Sequence, residues 1–97
     1  MSAAREPEEA PPWREEHGPK PRVYTWPPGQ HPALRIYLSG SWRYCPVRMR
    51  LDFPDGRTAY QVDVHIETRT SYSVRTYWWD PEVMRVAHGS DAAPRQL

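Results

Sequence analysis

From Ala33 to Trp79 apolar and polar residues alternate with the two-residue period of a β-strand, broken only at clusters of turn-forming residues. Leu34, Ile36 and Leu38 alternate with Arg35 and Tyr37. After Ser39-Gly40-Ser41, the positions Cys45, Val47, Met49, Leu51 and Phe53 share one face, with Arg48, Arg50 and Asp52 on the other. Beyond Pro54-Asp55-Gly56-Arg57, Tyr60, Val62, Val64 and Ile66 alternate with Gln61, Asp63, His65 and Glu67. Thr68-Arg69-Thr70 turns the chain again, and Tyr72, Val74, Thr76 and Trp78 extend the apolar face. The pattern predicts a mainly β fold: two consecutive hairpins in a small antiparallel sheet of three to five strands.

A one-residue slip turns every apolar side chain outward, so the pattern also predicts a register. Pairing Phe53 with Thr58 sets Leu51 opposite Tyr60, Met49 opposite Val62 and Val47 opposite Val64, closing the loop Pro54 to Arg57. A shorter turn with a glycine bulge would bring Gln61 and Asp63 to the core unless a second bulge compensates, and is set aside. In the second hairpin Tyr60 faces Trp78, Val62 faces Thr76 and Val64 faces Val74. Asp63 then lies between Arg48 and Arg75. Pro46 has no N–H and marks the outer side of its strand as an unpaired edge.

Asp80-Pro81 and Gly89 would bracket a short helix. The β-branched, two-sided run Val83 to Val86 is a poor isolated helix, so a further strand is the preferred reading. The apolar face needs a cover, since each large side chain gains about 1.5–3 kcal/mol on burial. The candidates are the first strand, residues 83–86, the island around Trp26, or a second copy of the chain. An SH3-like small barrel is the closed form of the same arrangement.

Composition sets the boundaries. Eight of the twelve prolines fall within the first 32 of 97 residues, which predicts a disordered Pro/Glu-rich tail over 1–32. The β-domain is expected over 33–88 and a second disordered tail over 89–97. Glu6, Glu8, Glu9, Glu15 and Glu16 make the first segment acidic, whereas Ala33 to Trp79 holds seven arginines and four carboxylates. The tail could shield a polyanion-tolerant surface. A single cysteine, Cys45, excludes an intrachain disulfide. No apolar run has the length of a membrane span, and the N-terminus lacks a signal-peptide pattern. A cytoplasmic location and no membrane partner are the expectations.

Candidate chemistry is sparse. His17, His31, His65 and His88 lack metal-ligand spacing, and no cofactor or metal is expected. Asp63, His65 and Ser73 have the composition of a hydrolase triad, but a flat sheet offers neither oxyanion hole nor pocket. No enzyme activity is expected. The candidate binding surface is the polar face, read as Arg48, Arg50, Gln61, His65, Arg75, Tyr77 and Trp79, where guanidiniums and aromatic rings would mix. Trp78 and Trp79 must point to opposite faces, which leaves Trp79 as a contact residue. The run Asp55-Gly56-Arg57-Thr58-Ala59-Tyr60-Gln61-Val62-Asp63-Val64, followed by Arg75-Thr76-Tyr77-Trp78-Trp79, resembles short uncharacterised proteins of high-GC, streptomycete-like actinobacteria. The resemblance implies no activity. The sequence therefore points to a protein-interaction or regulatory module with an unknown protein partner or as a homodimer, and, as the alternative, to a nucleic-acid-binding protein.

Overall fold

The computed structural model describes residues 5–65 and 72–89. Six strands form one antiparallel sheet: β1 (Arg22–Tyr24), β2 (Ala33–Leu38), β3 (Ser41–Asp52), β4 (Thr58–His65), β5 (Tyr72–Trp78) and β6 (Met84–His88). Their order is β5-β4-β3-β2-β6, with β1 alongside the second half of β3. The preferred strand reading of residues 83–86 thus matches β6, whereas the turn expected at Thr68-Arg69-Thr70 lies outside the described residues.

The twelve-residue β3 organises the molecule. Its first half pairs with β2, from Ala33↔Pro46 to Leu38↔Ser41, around a two-residue loop. Ser39 and Gly40 both adopt positive φ there, the backbone a tight hairpin needs to match strand twist. Its second half pairs with β4 from Val47 onward and with β1. Val47 N–H donates to the Pro32 carbonyl, on the β2 side. Pro46, its neighbour, therefore turns its missing N–H to the side where the β4 ladder has ended.

The core lies between the β3–β4–β5 layer and the β2–β6 layer. It comprises Leu34, Ile36, Leu38, Cys45, Val47, Tyr60, Val62, Tyr77, Val83 and Met84. Trp26 packs against it, half-buried, so the expected docking of that island is seen.

Both hairpin registers differ from the sequence expectation. Phe53 N–H donates to Arg57 O at 2.8 Å and Gly56 N–H to Phe53 O at 3.0 Å, with Gly56 at φ +91°. This is the three-residue turn: proline at its first central position, glycine in the left-handed position that a side chain resists. The partners become Leu51↔Ala59 and Arg50↔Tyr60, and a bulge between Val47 and Met49 then restores Val47↔Val62. One extra residue reverses strand parity. Met49, Leu51 and Phe53 consequently lie half-buried on the face opposite the core rather than in it. In the second hairpin Ala59 faces Trp78, Tyr60 faces Tyr77 and Val62 faces Arg75. Tyr77 and Trp79 turn inward, and Trp78 turns to the opposite face.

Two pieces of the Pro/Glu-rich segment lie on the sheet: β1, and residues 8–10 along the outer edge of β5. With that edge occupied, the strands form an open sheet and not the SH3-like barrel. No helix among the described residues is long and apolar enough to cross a membrane.

Candidate functional site

The seven residues of the expected polar face do not share a surface. Arg48, at the bulge, bonds Asp63 at 3.2 Å on the side of Gln61 and His65. Arg50 lies opposite Tyr60, grips Asp52 through 2.8 and 2.9 Å bonds and stacks on Tyr24 at 5.4 Å. Arg75 pairs with Glu9 at 3.2 Å rather than with Asp63. Tyr77 is 5% exposed in the core. Trp79 meets Tyr60 edge-on at 5.7 Å, and its N–H donates to Thr58 O. The one-residue shift of β5 separates this set, because it sends Tyr77 and Trp79 inward.

The hydrolase reading loses its geometry for the same reason. Ser73 faces Val64, whereas His65 faces Tyr72, so His65 and Ser73 lie on opposite faces. Among the described residues no group of histidines, cysteines and carboxylates could hold a metal ion. Cys45 is fully buried, and burial pushes its thiol up to about 11, away from nucleophilic use.

A different mixture of arginine and aromatic rings occupies the outer face of β2, β3 and β6. The tight Ser39-Gly40 loop sets Tyr37 opposite Trp42 and Arg35 opposite Tyr44, and β6 sets Arg85 opposite Arg35. Tyr37 and Trp42 meet edge-on at 5.7 Å. The Arg85 guanidinium lies 4.6 Å from the Trp42 ring, and that of Arg35 lies 5.8 Å from the Tyr44 ring. Trp42 remains 38% exposed and Tyr44 52%.

The electrostatics of this face set it apart. Arg5, Arg14, Arg48, Arg50, Arg57 and Arg75 each have a carboxylate partner. Arg35 and Arg85 form no ion pair among the described residues, although like charges directly across a ladder repel. Cation–π contact with the rings offsets part of that cost. An anion between the two guanidiniums would remove it.

The opposite face of β3–β5 carries a second feature. Phe53 and Trp78 pack at 5.0 Å with Arg57 stacked 4.0 Å over Trp78. Trp13, fixed by a 3.2 Å bond from its indole N–H to Gly18 O, stands over them across a groove of about 590 Å³. Here Arg57 is neutralised by Asp55 at 2.9 Å, so the groove presents apolar rings rather than charge.

No family model, curated protein or solved structure matches this chain.

The outer face was within reach of the sequence. Its signal is the Ser39-Gly40 pair, which as a two-residue loop aligns Arg35 and Tyr37 with Tyr44 and Trp42. Arg85 had no such signal, because its pairing with β2 spans a long sequence separation.

Proposed function

We propose that this protein is a non-enzymatic binding module of the cytoplasm whose working surface is the outer face of β2–β3–β6, and that it binds single-stranded nucleic acid. The observation that carries the reading is the cross-strand pair Arg35↔Arg85, which lacks a carboxylate and is flanked by the exposed rings of Trp42 and Tyr44. Guanidiniums take phosphate oxygens, and exposed aromatic faces stack on unpaired bases without regard to sequence. A duplex hides its base faces and gains only the phosphate term.

The test is fluorescence anisotropy of labelled single-stranded DNA, single-stranded RNA and duplex DNA with the full chain at low and moderate salt. Single strands bind in preference to duplex, with a salt slope near the roughly −1.4 given by two neutralised phosphates. Arg35→Ala/Arg85→Ala abolishes the binding, and Arg48→Ala/Arg75→Ala leaves it intact. Binding that survives loss of Arg35 and Arg85, or none at micromolar protein, overturns the reading.

A protein partner is the second reading. It is favoured by β6, a terminal strand of the sheet whose Val86 is 39% exposed beside the same residues. Tryptophan, tyrosine and arginine are also the usual anchors of protein interfaces.

A further inference from the structure

A second surface, independent of the arginine–aromatic face, lies at the other end of the strand order. We propose that the outer edge of β5 is a strand-addition site, closed in this structure by the chain's own residues 5–10 and able to receive an extended peptide of a partner protein with the same order of charges. An edge strand exposes unpaired N–H and C=O groups and is a template for another strand. Here the template is used over a very short length. Trp78 N–H donates to Glu8 O and Ala10 N–H to Thr76 O, both at 2.9 Å, around the bridge Glu9↔Tyr77. Pro12 is the next residue whose N–H would face β5, and it has none, so the ladder stops.

Little else fastens this strap. Pro7 and Ala10 are its buried residues. Arg5 reaches Asp80 and Glu82 at 2.6 Å, Glu6 accepts the Ser39 N–H at 2.6 Å, and Glu9 meets Arg75 at 3.2 Å. These contacts are largely solvent-exposed, where ion pairs contribute little and salt screens them. The strap therefore detaches far more readily than any strand of the core. The edge it leaves is chemically addressed. Asp80 and Glu82 at one end call for a cation, and Arg75 calls for a glutamate four residues later. A small residue then fills the seat of Ala10. That order fixes both the direction and the register of an incoming strand antiparallel to β5.

The test uses the full chain, wild type and Arg5→Ala/Glu9→Ala, with a labelled synthetic peptide of residues 5–12. The peptide binds the double variant about ten-fold more tightly than the wild type, the ratio expected when exposed ion pairs stop holding the resident strap. A peptide with arginine and glutamates exchanged does not bind. In the same variant the Trp78 amide exchanges hydrogen about ten-fold faster, while the central Tyr60 amide is unchanged. Three outcomes overturn the proposal. The first is a Trp78 amide as slow as Tyr60 in the variant. The second is a fast Trp78 amide without peptide binding. The third is a dimer of the variant that the peptide does not dissociate, which assigns the edge to a second copy.

Discussion

Arg35 and Arg85 face each other across β2 and β6, an arrangement that a sheet selected for stability alone would avoid. Arg85→Gln is expected to raise unfolding stability by about 0.2–1 kcal/mol in a urea titration, the size of a relieved cross-strand repulsion. The same change weakens oligonucleotide binding, so stability and affinity move in opposite directions. Cys45 makes a second residue-scale prediction. Burial pushes its thiol from 9.0 up to about 11. As pH rises the unfolded chain gives up this proton first, so the folded state loses ground between about pH 9 and 11 and keeps its full stability below that window. Tyr60 and Tyr77, also raised chiefly by burial, add to the loss from about pH 10 upward. In Cys45→Ala the decline between pH 9 and 10 disappears, as read from chemical denaturation at fixed pH steps.

At the scale of elements, the bulge in β3 decides which side chains meet. Arg48→Ala removes one exposed ion pair with Asp63 and is expected to cost no more than about 1 kcal/mol. Deleting Arg48 removes the extra residue itself. The half of β3 beyond it must then turn over or lose its pairing with β4, and the deletion variant fails to give a cooperative melt. The strands themselves were legible, because alternation at Leu34–Leu38 and Tyr60–Val64 has a plain period and matches β2 and β4. The parity of Met49, Leu51 and Phe53 was not, since a bulge shifts the alternation of burial without changing the alternation of residue types. The β5 register failed differently. Both parities of residues 73–79 place aromatic side chains inward, and only the packing of Trp79 on Tyr60 separates them. The seven-residue polar face depended on that register and dispersed with it. The idea of an arginine–aromatic surface carried over to another pair of strands.

On the scale of the whole molecule, charge and edge are segregated. The acidic residues Glu6, Glu8 and Glu9 lie along β5, at one end of the strand order, and Arg35 and Arg85 lie toward the other. The strap thereby covers one open edge and leaves the paired arginines uncovered. The five tryptophans are divided just as cleanly among these regions. Trp42 lies on the arginine face, Trp13 and Trp78 on the groove, Trp26 against the core from outside, and Trp79 on Tyr60. The intrinsic emission of this protein is therefore a composite of spatially separate reporters. A quencher or a stacking base arriving at Trp42 dims one component, and loosening of the N-terminal segment shifts the components of Trp13 and Trp78. The molecule can thus be interrogated at either surface by its own light, without an attached dye.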